Sequence, residues 1–319
     1  MSCRVLITGV SGFVGGALGR YLRAAGGYHV TGISRTAARE GAVDDFYAHD
    51  LTRPLPADVG SFDVVVHAAA LSAPWGSPEA FRAQNVDATR HMLDFVRRTG
   101  MPKFLFISSS SVYYRHGDQL GITEETPFSE KPINLYAATK QEAERLVREA
   151  NVSSVILRPR AVFGPGDTVL FPRILRAAKK GVLPRMQRAD GASPQGDLIY
   201  IDNLSHYIER AIALPVSGAF NLTNNQPVDL FAFLRDVVAR LGLRPAEHAI
   251  PVRAAFALAG LLEWGSRTIG GFREPPITRF GVEVMAYSKT FDIGRALAAF
   301  GPPPVSLEEG VARFVAWQR

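Results

Sequence analysis

A chain of 319 residues, 47% hydrophobic and 21% charged, has the composition of a folded globular protein large enough for one α/β unit with an appendage. Its formal charge of +6 does not point to nucleic acid, because the arginines are scattered rather than run together. One cysteine, Cys3, excludes an intrachain disulfide and a thiolate metal cage, and the seven histidines form no metal-binding pair at helical spacing, so no metal is expected. No apolar run is long enough to span a bilayer and no leader precedes the first predicted strand, which makes the cytoplasm the expected location.

That strand, Arg4 to Thr8, runs into Gly9-Val10-Ser11-Gly12-Phe13-Val14-Gly15 and then a helix with apolar Ala17, Leu18, Tyr21 and Leu22. Glycines three apart allow a tight turn, close approach of a pyrophosphate to the backbone, and close seating of the helix on the sheet. The helix start offers free N–H groups and the positive end of its dipole to phosphates. Gly9, Gly12, Phe13, Val14 and Gly15 are therefore the expected phosphate turn of a dinucleotide site. A second strand over Tyr28–Ile33 is followed by Ser34-Arg35, with Arg39 nearby, where an acidic residue would grip ribose hydroxyls. A hydroxyl beside a guanidinium suits a 2′-phosphate, so NADP is favoured, with NAD as the alternative and a merely solvated Arg35 as the competing reading.

Ala48-His49-Asp50-Leu51 closes a third predicted strand, with Asp50, next to Leu51, an acceptor for the adenine amino group. Asp63 to Ala70 reads as a buried strand whose small end, Ala68-Ala69-Ala70, leaves room for the cofactor, and His67 on it reads as a packed residue. The turn-rich loop from Leu71 to Pro78 carries Ser72 and Trp75, two candidate substrate contacts. Phe81 to Arg98 is a predicted helix bearing Asn85, which either bonds the neighbouring strand's backbone at the cofactor site or faces solvent. Lys103–Ile107 is the next buried strand and ends in Ser108-Ser109-Ser110-Ser111. Strands alternating with helices at these lengths predict an α/β fold built on a doubly wound parallel sheet.

Tyr136-Ala137-Ala138-Thr139-Lys140 opens a further helix, and residues four apart share a face, so the phenol and the ammonium address one ligand. A phenol acts as acid or base near neutrality only if its pKa falls by about two to three units, which a nearby positive charge promotes. The serine-ended strand would add a hydroxyl beside the same substrate oxygen.

The glycine turn, the serine-ended strand, Tyr136-x-x-x-Lys140 and Arg158-Pro159-Arg160-Ala161-Val162-Phe163-Gly164-Pro165-Gly166 together resemble the extended short-chain dehydrogenase/reductase family, which includes NAD-dependent epimerases and dehydratases. The resemblance implies a Rossmann sheet, Ser109 as the catalytic hydroxyl, Tyr136 as acid/base, Lys140 lowering its pKa and holding ribose, and Pro159 with Val162 at the nicotinamide. It implies Ser110 and Phe163 near the substrate, and a homodimer formed through the helices around Phe81–Arg98 and Tyr136–Ala150. The cofactor domain is expected over 1–165, with 196–224 returning to it. The smaller, discontinuous C-terminal substrate portion then covers 166–195 and 225–319.

Within the family, Gly196 precedes Asp197 where nucleotide-sugar epimerases usually carry an arginine for the diphosphate, and Arg185 or Arg188 would have to compensate. Dehydration is disfavoured, since Ser110 and Ser111 stand where an acid pair is needed. Ala73–Ser77, Glu274–Arg279, Phe291–Ala296 and Val305–Gly310 resemble the 3β-hydroxysteroid dehydrogenase-like branch, which implies a secondary alcohol or ketone on a sterol-like or 3-oxoacid-like skeleton. The apolar stretch 254–264 reads as a core helix, a pocket wall or a shallow membrane contact. The resulting expectation is an NAD(P)-dependent oxidoreductase on a small molecule, with a nucleotide-sugar epimerase and a catalytically silent cofactor sensor as alternatives.

Overall fold

The computed structural model describes residues 2–319. In chain order the first strands are β1 (Cys3–Thr8), β2 (Tyr28–Ser34), β3 (Asp45–Ala48), β4 (Val64–His67), β5 (Lys103–Ile107), β6 (Gln119–Ile122) and β7 (Ser154–Pro159). They are followed by β8 (Val162–Phe163), β9 (Val182–Gln187), β10 (Gln195–Gly196), β11 (Ile199–Tyr200), β12 (Gly218–Leu222), β13 (Val228–Asp229), β14 (Ala246–Pro251) and β15 (Lys289–Phe291). Seven of them form one wholly parallel sheet in the order β12-β7-β5-β4-β1-β2-β3. The chain winds outward from β1 to β3, then returns to β4 and winds the other way, so a crevice opens between the carboxyl ends of β1 and β4.

The strands read as continuous apolar runs because both faces of this sheet are covered. Val5 and Ile7, Leu105 and Ile107, and Val155 and Leu157 enter one core with α1 (Phe13–Ala25) and, further along the chain, helix 201–213. The intervening Leu6, Phe104, Phe106 and Ile156 enter a second core on the opposite face, with α2 (Pro78–Phe81) leading into α3 (Ala88–Arg98), and α4 (Leu135–Glu149). The strand period of two thus splits each strand between two cores, each large apolar side chain contributing about 1.5–3 kcal/mol.

Three features depart from the sequence expectation. The strand expected over Asp63–Ala70 covers only Val64–His67, which leaves Ala68 to Ala70 in the loop beyond it. The third strand ends at Ala48, so His49, Asp50 and Leu51 lie beyond it, on the ligand side of the sheet edge. The helix expected over Phe81–Arg98 starts at Pro78 under a Ser77 cap and is interrupted by a π-helical turn, Arg82–Asp87.

A smaller region stands over the crevice. Short strands pair there in the order β13-β10-β15-β6, and β9 runs parallel to β14. Helices α5 (Phe171–Lys179), α6 (Ile201–Ala213), α7 (Leu230–Arg240), α8 (Val252–Thr268) and α9 (Arg279–Ala286) complete the description needed here. Among the described residues no helix is long and apolar enough to cross a membrane, and no cluster of His, Cys, Asp or Glu could hold a metal ion.

Candidate active site

The crevice is pinned by a relay of small polar groups. Thr8 Oγ1 lies 2.8 Å from His67 Nδ1, His67 Nε2 lies 3.2 Å from Thr89 Oγ1, and the Ala69 N–H donates to Thr8 Oγ1 at 3.1 Å. Thr89 donates onward to the Asn85 carbonyl at 2.7 Å, so it accepts from His67, and the network assigns the proton to Nε2. Burial, aided by the charge of Lys140, pushes the imidazole down to about 3, so it stays neutral and structural, as read from the sequence.

Gly9 has φ +75°, and a Cβ on it would lie 2.8 Å from the Ala69 Cα, so only glycine lets β1 and β4 close here. A Cβ on Gly15 would lie 2.5 Å from the Gly9 carbonyl oxygen. Helix α1 begins at Phe13 with no side-chain cap and no acidic residue in its first turn, so its start remains available to an anion. These properties fit a dinucleotide pyrophosphate. Gly15→Ala is expected to cost about 1–3 kcal/mol of stability and to weaken nicotinamide-cofactor binding, read as thermal shift with and without NADPH. A variant with wild-type melting temperature and affinity would show that the turn tolerates a Cβ.

One cavity of about 1000 Å³ runs from this turn to the smaller region. Gly9, Gly12, Phe13, Val14 and Gly15 line it, as do Ser34, Arg35, Asp50 and Leu51 on the far side of β1. Ala68, Ala69 and Ala70 line its floor, and Pro159 and Val162 border it at the end of β7. Arg39 reaches towards the same turn, its guanidinium 3.3 Å from where a Gly166 Cβ would be.

Ser109, Tyr136 and Lys140 face this cavity together with Ser72 and Ser110. Asn134 caps α4 by accepting from the Ala137 N–H at 2.8 Å, which fixes Tyr136 in the first turn and Lys140 one turn on. Ser109 caps the 3₁₀ turn after β5, its Oγ lying 2.9 Å from Ser111 Oγ. Burial pushes the Tyr136 phenol up, opposed by side-chain hydrogen bonds with Ser72 and Ser109. Burial also pushes Lys140 down to about 7, with Glu144 opposing. The expected depression of the phenol by the lysine is therefore not found in the protein alone. Lys140 Nζ donates to the Ile107 carbonyl at 2.7 Å and sits 4.6 Å over the Phe106 ring, and burial is the leading influence on the phenol.

Beneath this trio lies an ionic cluster that sequence reasoning missed. Arg158 donates to both Glu144 oxygens, with Nε at 2.9 Å and Nη2 at 2.6 Å, and contacts the Tyr113 hydroxyl, while Ser108 donates to the same carboxylate. Glu144 is four residues beyond Lys140 and eight beyond Tyr136, the spacing that could have flagged it.

Three expected contacts fall elsewhere. Phe163 is fully buried and packs on Phe171, Tyr200 and Phe314, because neighbours on a strand point to opposite faces and Val162 takes the cavity side. Trp75 is not on the cavity: its indole N–H donates to Ser266 Oγ at 2.9 Å on α8, with Arg267 over the ring. Asn85 is 1% exposed and does not line the cavity; it bonds backbone just beyond the neighbouring strand β4, the first of its two sequence readings, accepting from the Leu71 N–H at 2.7 Å and donating to Thr139 Oγ1 at 3.0 Å. The compensating arginines are also absent from the site. Arg188 is tied to Asp118 and Asp190, and Arg185 lies over Phe231.

The far half of the cavity is apolar, lined by Leu183, Met186, Leu258, Leu262, Ile277 and Met285. Helix α8 both joins a small core, through Val252, Ala255 and Ala259, and forms this wall; its Leu261 and Trp264 are exposed.

Residues 5–223 match the model of the NAD dependent epimerase/dehydratase family. The chain belongs to this family. It is 31% identical to a 2-alkyl-3-oxoalkanoate reductase of Shewanella oneidensis, with 97% of this chain and 85% of that protein covered. It is likewise 31% identical to a decarboxylating sterol-4-alpha-carboxylate 3-dehydrogenase of Saccharomyces cerevisiae, over 86% of this chain and 84% of that one. MoeE5 in complex with UDP-glucuronic acid and NAD has the same fold, with a TM-score of 0.77 at 21% identity and 99% of each chain covered. As an extended short-chain dehydrogenase/reductase with reductase and dehydrogenase relatives, the chain is an NAD(P)-dependent oxidoreductase.

Proposed function

We propose that this oxidoreductase interconverts a secondary alcohol and a ketone carried on a hydrophobic skeleton, with NADP as preferred cofactor. The observation that carries the reading is one continuous cavity, with the glycine turn at one end, Ser109, Tyr136 and Lys140 midway, and an apolar chamber at the other. The names of the relatives, which mention 2-alkyl-3-oxoalkanoates and sterol carboxylates, support the same substrate class. The bound nicotinamide would supply or accept the hydride. Tyr136 exchanges a proton with the substrate oxygen, Ser109 orients that oxygen, and Lys140 holds the ribose. Gly9, Gly12 and the first turn of α1 take the pyrophosphate, Asp50 the adenine amino group, and Ala68 to Ala70, Pro159 and Val162 bound the cofactor. Residues 1–165 and 196–224 serve as the cofactor portion, apart from β6, which pairs with β15 in the smaller region, and 166–195 with 225–319 as the substrate portion. A cytoplasmic homodimer through α3 and α4 belongs to the same reading.

The test is cofactor oxidation by the purified chain with 2-alkyl-3-oxo acids and sterol ketones, followed by absorbance. No turnover with any hydrophobic ketone or alcohol would overturn the proposal.

NADP preference rests on Ser34 and Arg35 at the end of β2, where no acid stands. Arg35→Asp is expected to lower the NADPH-to-NADH ratio of kcat/KM by about 10- to 100-fold, the worth of a lost charge-assisted bond plus an added repulsion. An unchanged ratio would remove Arg35 from cofactor selection.

A further inference from the structure

Among the described residues no carboxylate forms an ion pair with the buried Arg160 guanidinium, and Asp197 answers its charge only at longer range. It follows Pro159 at the end of β7, lines the cavity and is 8% exposed, yet its Nε has no hydrogen-bond partner. The other strongly buried guanidinium near the site, Arg158, is held by Glu144, and Arg173 on the cavity wall is paired with Glu274 at 2.9 Å. Arg160 acts on Asp197 only through its charge: Asp197 gives Oδ2 to the Phe291 N–H at 2.9 Å and leaves Oδ1 unpaired. Lys289, which also feels Arg160, is tied to Glu283 at 3.2 Å and to backbone carbonyls. The Tyr114 ring lies 5.5 Å from the guanidinium carbon and supplies a face, not an anion.

Desolvating a cation without a hydrogen-bonded carboxylate is costly, a cost that an anion bound in the cavity would offset. Ser110 Oγ lies 3.0 Å from the Tyr114 hydroxyl, which places Arg160 on the wall next to the turn that carries Ser109. An anion there would share the cavity wall with Ser109 and Ser110.

Building on the oxidoreductase reading and its 3-oxoacid-like substrate class, we propose that Arg160 binds the carboxylate of the substrate. The planar fork receives both carboxylate oxygens, the Tyr136 and Ser109 hydroxyls take the oxygen on the third carbon, and the alkyl arms enter the chamber beside Leu258, Leu262 and Met285. Arg160 is thereby a specificity residue, separating acids from neutral ketones of equal size.

The decisive comparison is a long-chain 2-alkyl-3-hydroxy acid against its methyl ester, which keeps the shape and loses the charge. Two readouts are taken on wild type, Arg160→Met and Arg160→Lys: cofactor reduction by absorbance, and binding to the cofactor-loaded protein by calorimetry. Wild type is expected to prefer the acid. Arg160→Met lowers the acid-to-ester ratio of kcat/KM by roughly 100-fold, mainly through KM, as expected for a lost hydrogen bond to a charged group. Arg160→Lys restores part of it, because a point charge replaces the fork. Equal use of acid and ester by wild type, or an unaltered ratio in Arg160→Met, overturns the assignment. If neither compound is turned over, the oxidoreductase substrate class fails, and calorimetry still decides on Arg160: arginine-dependent preference for the acid upholds its role, and equal binding ends it. Should Arg160→Met not fold, the ratio in Arg160→Lys is judged against wild type by the same criterion.

Discussion

Tyr136→Phe is expected to lower kcat for ketone reduction by roughly 100- to 10,000-fold, the usual worth of a positioned general acid, while the protein still binds cofactor. The substitution deletes one oxygen from a side chain already packed in the first turn of α4, so the scaffold is retained. What disappears is the hydroxyl that shares hydrogen bonds with Ser72 and Ser109. Burial raises the phenol, so at neutral pH the protein alone holds a proton donor, the form that reduction needs. Reductive kcat/KM should therefore stay level through neutrality and fall as pH passes the phenol's pKa. Oxidation needs the phenolate and should rise over the same limb. Stopped-flow turnover of wild type and variant across pH, in both directions, checks the claim. A variant with full turnover, or a wild type with no alkaline limb, would remove Tyr136 from proton transfer.

The cofactor half of the molecule was legible because its signals are local. The glycine turn, the buried apolar runs and the helix that carries Tyr136 and Lys140 each declare themselves within a dozen residues, and the parallel sheet follows from their alternation. What was not legible depends on direction or on distant partners. Val162 and Phe163 both sit in a cavity-bordering motif, but a strand aims only one of two neighbours inward. Asn85 lies in a π-helical turn that no periodicity announces, and that turn aims it at Leu71. Trp75 has a loop composition typical of ligand contacts, yet its indole is claimed by Ser266, far along the chain. Arg160 stands in the same motif as Arg158, and only the fold reveals that one guanidinium has a carboxylate and the other does not. The lysine, together with an oxidised nicotinamide, is expected to lower the phenol by charge; in the protein alone, burial is the leading influence on both groups.

Glu144→Ala should be the most destabilising of these substitutions, by about 3–5 kcal/mol, because it strands the Arg158 guanidinium in the core. Arg158 is 1% exposed and Glu144 fully buried, so water cannot replace the carboxylate. The lost acceptor also orphans the Ser108 hydroxyl at the carboxyl end of β5, directly before the turn that presents Ser109. At roughly 2–4 °C per kcal/mol for chains of somewhat smaller size, the melting temperature falls by about 5–15 °C. Exchanging both partners for apolar residues, Glu144→Met with Arg158→Met, recovers much of this loss, since no unpaired charge remains. The cluster also reaches the site through Lys140, whose charged form Glu144 favours against the pull of burial. Without that carboxylate the lysine's pKa drops further below about 7, so a larger share is neutral at physiological pH. Any pH limb due to Lys140 then moves to lower pH in Glu144→Gln, which keeps the shape. Thermal melts and pH–rate profiles of the single and double variants separate the two effects. A Glu144→Ala protein as stable as wild type, or a double variant no better than the single one, would show that the pair is not a coupled buried charge cluster.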